Sequence, residues 1–303
     1  MNKKYLQRLL ERCQEETELP TSLGKRYKTG LCLVLASCFT AVMVLAGGVA
    51  LDEPGPSPAD KAWENLTRFD IPSQRSIPWR PRFIMPQDTL ESLYGDDWVW
   101  VARFNRVDRR HAYPGVTIKE PLRIADVKGY QPLPGVYPQA RTYGRYLLLD
   151  KGEQWIAGYD RGLLAFSAPA ATGKAGTETP NGIYRIDARH RKHTSSLYKI
   201  EEEGEQYPMD NALRFHIDEQ LVGYWIHARD LPGRPASHGC IGLFDEVMQK
   251  RMFSVPQKPV LMDSQKLYAW AVPDSIHGED SGDAQEIQGG PVLEVRGELP
   301  NYR

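Results

Sequence analysis

The chain has 303 residues, 41% hydrophobic and 25% charged, which excludes a disordered chain, a collagen and a polytopic membrane protein and leaves room for two domains. Its 38 basic and 39 acidic residues give a formal charge of -1, so nothing global points to nucleic acid as a partner. The 23 Pro and 26 Gly predict a turn-rich, strand-rich body rather than a helical bundle.

From Gly30 to Leu51, 22 consecutive residues carry no charge; at about 1.5 Å per residue they span the ~30 Å hydrocarbon core of a bilayer. Lys25, Arg26 and Lys28 precede this run, and Asp52 and Glu53 follow it. The basic flank marks the cytoplasmic side, so everything after Leu51 is expected outside. Two other readings compete: a signal peptide cleaved near Gly48-Val49-Ala50, and a lipidation box at Leu35-Ala36-Ser37-Cys38. The long segment ahead of the run weighs against cleavage, and the apolar residues that continue past Cys38 weigh against lipidation. The expectation is a cytoplasmic segment over 1–29 and a membrane-anchoring helix over 30–51. The body then lies in the cell envelope, in the periplasm or otherwise outside the membrane. Of the four cysteines, Cys13, Cys32 and Cys38 fall before or within the span. Cys240 is left as a lone exterior thiol, where exported proteins usually pair theirs.

Residues 52–81 read as a Pro-rich linker, opening with Asp-Glu-Pro-Gly-Pro-Ser-Pro. Over 82–122 the pattern predicts a strand, a short helix N-capped by Asp88 or Thr89, a second helix ending at Asn105, a turn at Pro114-Gly115 and a closing strand. Leu90, Leu93, Tyr94 and Val101 supply its core. This arrangement, from Asp88-Thr89-Leu90 to Tyr113-Pro114-Gly115, resembles a lysin motif. The resemblance implies a small α+β domain that binds N-acetylglucosamine-containing glycan strands; a spacer subdomain that binds nothing is the alternative.

From Arg145 onward the chain reads as strands: 146–150, 154–159 and 162–166 form a meander with tight turns at Lys151-Gly152 and Asp160-Arg161. A long turn-rich loop over 172–182 precedes strands at 183–186 and 212–217. His190, Arg191 and His193 read as a basic, solvated loop, and residues 244–252 as a helix. Residues 273–303 carry seven acidic and two basic side chains and read as a disordered tail.

The chemistry concentrates between His227 and Cys240, where the lone exterior thiol sits beside His227 and His238 and directly after Gly239. A thiol attacks as thiolate, and at a pKa of ~8.5 it is mostly protonated at neutral pH. A neighbouring imidazole can take its proton and return it to a leaving amine. Glycine permits the tight turn that aims successive amides at a developing oxyanion. Either histidine could be the base. His227, His238 and Cys240 could also bind zinc, but a fourth ligand and paired spacings are lacking, so no metal or other cofactor is expected.

Ser237-His238-Gly239-Cys240-Ile241, preceded by Ile226-His227 and Gly233-Arg234, resembles the active-site signature of the L,D-transpeptidase catalytic-domain family. Ala171 to Arg185 resembles that family's loop-and-strand segment, and the likeness covers about 144–264 within a domain placed at 144–272. It implies a mainly β, sandwich-like catalytic domain with Cys240 as nucleophile, His227 as base and the Ala228 carbonyl orienting its ring. It further implies an oxyanion hole from the amides of His238, Gly239 and Cys240, with Ser237 and the His238 ring shaping the site. Tyr224, Trp225, Arg214 and Arg234 are candidate substrate contacts, the two arginines for stem-peptide carboxylates. The implied partners are peptidoglycan stem peptides and glycan strands, with a diaminopimelate amine, an envelope protein or water as acyl acceptor. One departure stands out: the family commonly has Arg or Asn two residues after the nucleophile, where this chain has Gly242. The 13-residue interval from His227 to Cys240 is also short for the family and predicts a trimmed lid.

Overall fold

The computed structural model describes residues 64–200, 205–272 and 282–303. The cytoplasmic segment, the expected span over 30–51 and Cys13, Cys32 and Cys38 lie outside the described residues. Among those described, no helix is long and apolar enough to cross a membrane.

The small N-terminal unit forms where cap and turn chemistry places it. After β1 (Phe69–Asp70) come β2 (Trp79–Phe83), α1 (Leu90–Tyr94), α2 (Trp98–Asn105) and β3 (Thr117–Pro121), with β2 and β3 paired antiparallel. Thr89 rather than Asp88 caps α1, in a reciprocal pair of bonds with Ser92. Asp88 instead ion-pairs with Arg82. Asn105 closes α2 by donating to the Val101 and Lys119 carbonyls and accepting the Lys119 amide. Leu90 and Val101 are buried, and Leu93 and Tyr94 pack on them. Residues 64–81 of the expected linker pack onto the body. Asn65 caps a short turn, Leu66 and Ile71 are buried, and β1 pairs with β14 (Asn301–Tyr302) at the other end of the chain.

The larger body is mainly β. In chain order it comprises β4 (Arg145–Asp150), β5 (Trp155–Asp160), β6 (Leu163–Pro169), β7 (Gly182–Arg185), β8 (Ala188–Lys199), β9 (Gln206–Ile217), β10 (Gly223–Ala228) and β11 (Ile241–Leu243). Helices α3 (Glu246–Phe253) and α4 (Asp263–Ala271) follow, then β12 (Gln285–Glu286) and β13 (Val292–Arg296). The strands form two five-stranded sheets, ordered β6-β5-β4-β13-β7 and β11-β10-β9-β8-β12. A shared core of Leu147, Leu149, Ile156, Leu213, Phe215, Ile226, Ile241, Leu267 and Leu293 joins them.

Two expectations are overturned. Residues 282–303 are no disordered tail: β13 lies between β4 and β7 and buries Val292, Leu293 and Val295. Its acidic Glu294 is accommodated because the Tyr137 and Tyr146 hydroxyls donate to it at 2.8 and 2.7 Å. The basic stretch around His190 is no loop but the first half of β8, a strand of 12 residues. Its polar side chains fit because only part of it faces the core.

Candidate active site

The site is built on β10. This strand pairs in parallel with β11, placing Ile226 opposite Ile241 and His227 opposite Gly242. Since side chains alternate along a strand, Ile226 and Ile241 enter the core while Trp225, His227 and Cys240 belong to the other face. There, Cys240, His227, Ser237, His238, Tyr224 and Trp225 line one cavity of about 750 Å³.

His227 is 2% exposed. Its Nδ1 lies 2.7 Å from the Ala228 carbonyl oxygen, which can only accept, so Nδ1 carries the proton and Nε2 keeps its lone pair. Burial, reinforced by the Arg229 charge, pushes its pKa down to about 3. Burial pushes the Cys240 thiol up, against the smaller opposing pulls of the Trp225 amide and Arg229. The resting pair is therefore a neutral thiol and a neutral imidazole, and the sulfur is ionised only as its proton leaves. His238 is exposed and stacks on Tyr198, with ring centroids 4.4 Å apart. Burial and Lys174 lower its pKa as well. Of the two histidines, His227 has the fixed ring and the free acceptor nitrogen of a base.

The loop that carries Cys240 is held by the upstream loop. Gly239 has φ +115°, and a Cβ there would lie 2.5 Å from the Tyr224 ring, so only glycine fits. Ser237 Oγ donates to the Cys240 carbonyl at 2.5 Å and accepts the Gly239 amide at 3.1 Å. That bond takes the Gly239 amide out of the expected set of three free donors. Thr179 Oγ1 donates to the Gly239 carbonyl at 2.9 Å, and the Ala236 and Ser237 amides donate to the Thr172 carbonyl. Thr172 and Thr179 were legible only as turn residues, because the contacts that use them span some 60 positions.

Arg229 is the main residue that sequence reasoning missed. It donates from Nη2 to the Ala236 carbonyl at 3.0 Å, and its Nε is buried without a partner. Its stem occupies the space a side chain at 242 would need: a Cβ on Gly242 would sit 2.4 Å from Arg229 Cδ. Gly242 is thus the vacancy through which Arg229 reaches the cavity. His193 on β8 also lines the cavity, with its ring 4.4 Å from Trp225, and burial with nearby His190 pushes its pKa down to about 4. The two arginines expected to read carboxylates are elsewhere. Arg214 pairs with Asp187 at 2.8 Å and Arg234 pairs with Glu64; neither lines the cavity. Among the described residues, no group of three His, Cys, Asp or Glu is placed to hold a metal ion.

Residues 144–262 match the family model of YkuD, the L,D-transpeptidase catalytic domain. Solved structures to which the chain is similar in part include an L,D-transpeptidase from Stackebrandtia nassauensis, at 21% identity and a TM-score of 0.34, covering 52% of this chain and 57% of that one. An L,D-transpeptidase from Mycobacterium smegmatis is 14% identical with a TM-score of 0.34, covering 51% and 59%. L,D-transpeptidase 3 from Mycobacterium tuberculosis is 15% identical with a TM-score of 0.35, covering 51% and 61%. The chain thus spans under two thirds of each of these structures. No curated protein matches the chain in sequence. Residues 144–262 are thus the part of the chain that is similar to the L,D-transpeptidase catalytic domain.

Proposed function

We propose that the protein is an envelope L,D-transpeptidase acting on peptidoglycan stem peptides. Cys240 Sγ attacks the carbonyl at the L-centre of diaminopimelate in a donor tetrapeptide while His227 Nε2 takes the thiol proton. The His238 and Cys240 amides hold the oxyanion. Collapse breaks the bond to D-alanine, whose amine leaves with the proton from His227, and a thioester remains. An acceptor amine then attacks the thioester, His227 again relays the proton, and the thiol is restored. With a second diaminopimelate as acceptor the product is a cross-link; with water it is a trimmed stem. The basic-flanked apolar run over 30–51 anchors the chain, and the lysin-motif-like unit binds glycan.

The observation that carries this reading is the buried His227, locked by Ala228 into the tautomer with Nε2 free, lining the same cavity as Cys240. Intact mass spectrometry of the full chain incubated with a tetrapeptide donor tests it. A Cys240 adduct with release of D-alanine is expected from the wild type and none from Cys240→Ala, which should melt like the wild type. D-alanine release by Cys240→Ala would refute the assignment.

A further inference from the structure

The cavity does not end at the catalytic strands. Its wall continues onto Arg110 and His111, from the segment that follows α2 in the small N-terminal unit, and onto Asp230 and Phe253. That segment is fixed in place. Asp108, fully buried, accepts the Leu231 amide at 2.7 Å, Gln249 Nε2 at 2.8 Å and the His111 amide at 3.0 Å. Its own amide donates to the Leu231 carbonyl at 2.9 Å.

Two opposite charges face the cavity side by side there. Arg110 Nη1 donates to Asp230 Oδ2 at 2.7 Å, with its guanidinium 3.5 Å from the centre of the Phe253 ring. Asp230 Oδ1 accepts from Gln249 Nε2 at 2.8 Å, which sets the carboxylate's orientation. About a quarter of the Arg110 side chain and a sixth of Asp230 remain exposed, and most of the guanidinium's five donors are uncommitted. A ligand bearing only one charge would compete with this pair, whereas a ligand with a carboxylate and an ammonium on one carbon complements both members.

We propose that the Arg110–Asp230 pair is a subsite for a free α-amino-acid end, the carboxylate on Arg110 and the ammonium on Asp230. Resting on the transpeptidase reading above, the group it holds is the side-chain terminus of the diamino acid in the donor stem. Asp230 is three residues from His227, so their Cα atoms lie within about 11 Å. In diaminopimelate, five bonds, or about 6 Å, separate the attacked carbonyl carbon from the distal amino-acid carbon. Arg110, Asp230 and Cys240 line the same cavity, so a donor whose carbonyl meets Cys240 extends its far end along the cavity wall that carries this pair. The ammonium held by Asp230 is protonated and cannot be a nucleophile, so the subsite serves the donor, not the attacking amine.

The test compares two synthetic tetrapeptide donors that differ only in the side-chain carboxylate, free in one and carboxamide in the other, by the rate of D-alanine release from the full chain. The wild type should favour the free acid by about 10- to 100-fold in kcat/KM, the worth of a charge-assisted hydrogen-bonded contact. Most of the effect should fall on KM. Arg110→Gln should erase the preference, leaving the two donors within about threefold of each other, and Arg110→Lys should restore part of it. Thermal melts and alkylation of Cys240 by iodoacetamide check that the variants keep a folded site. Equal rates for the two donors in the wild type, or an equal loss on both in Arg110→Gln, would overturn the subsite while the transpeptidase reading stood. No release from either donor would overturn both.

Discussion

Substituting Gly242 by alanine probes the arrangement around Arg229. The added methyl would lie 2.4, 2.6 and 2.9 Å from Arg229 Cδ, Cβ and Cγ, where carbon atoms prefer about 3.5–4.0 Å. The Cδ contact alone could be relieved by swinging the side chain, but the Cβ contact cannot, because Cβ is fixed to the backbone. That backbone is pinned as well. The Arg229 amide donates to the Leu243 carbonyl at 2.9 Å, and Gly242 exchanges two bonds with Ala171 at 2.9 and 3.0 Å. Strands must therefore separate, at the ~1–3 kcal/mol typical of overpacking. At about 2–4 °C per kcal/mol for a body of this size, Gly242→Ala should melt roughly 2–12 °C below the wild type. Adding Arg229→Ala should recover part of the loss, a coupling that a double-mutant cycle on thermal melts would read. A Gly242→Ala melt within about 1 °C of the wild type would refute the claim that Arg229 owns this space.

Three further outcomes are expected. With the His227 pKa near 3, acylation by a tetrapeptide donor should show no inflection near pH 6.5 between pH 5 and 8; a step there would mean that His227 titrates as an exposed imidazole. His227 and His193 are depressed to about 3 and 4, so below pH ~6.5 the unfolded chain binds protons that the folded one refuses. The contribution of these two histidines to stability should fall as pH drops from about 6.5 toward 4 and be level above, and His227→Gln should flatten that slope in melts; an unchanged slope would contradict the assignment. Truncation after Asp283 removes β13 and the buried Val292, Leu293 and Val295. At ~1.5–3 kcal/mol each that loss rivals the ~5–15 kcal/mol stability of a domain, so the truncated chain should show no cooperative melt, and a normal melt would contradict the placement of β13.

Much of the fold and of the site's centre was legible because it is encoded locally. The Thr89 cap, the Asn105 stop and the meander read over 146–166 depend on near neighbours, and Ser237 to Cys240 is a contiguous signature. The misread elements share a different cause. β8 carries Arg189, His190, Arg191, Lys192 and His193 in succession, so its period-2 signal vanishes: His193 lines the cavity, Arg191 lies over the Tyr268 ring and Lys192 pairs with Asp210. β13 hides in an acidic stretch of 31 residues, whose net charge outweighs the three buried apolar side chains Val292, Leu293 and Val295. Arg214 and Arg234 were expected in the cavity because arginine suits carboxylates, yet Asp187 and Glu64 claim them through contacts that no sequence spacing reveals. Arg229 escaped notice because its role is set by what Gly242 lacks.

The contacts of the N-terminal unit change what such a unit can do. A module on a flexible linker acts by raising local concentration, with an effect set by linker length. Here α2 and the segment after it are tied to the catalytic body by charges. Arg103 donates to Asp263 at 2.6 Å, and Arg109 pairs with the fully buried Glu246 at 2.5 Å. Arg106, 2% exposed, donates to the Glu153 carbonyl at 3.0 Å. Removing one partner of a buried ion pair costs about 3–5 kcal/mol, so these contacts tie the unit to the body rather than leaving it on a free linker. Any glycan gripped by this unit would be presented at a fixed distance and angle to Cys240, not merely kept nearby. The segment after α2 that these contacts hold is also the one that carries Arg110 to the cavity wall beside Asp230.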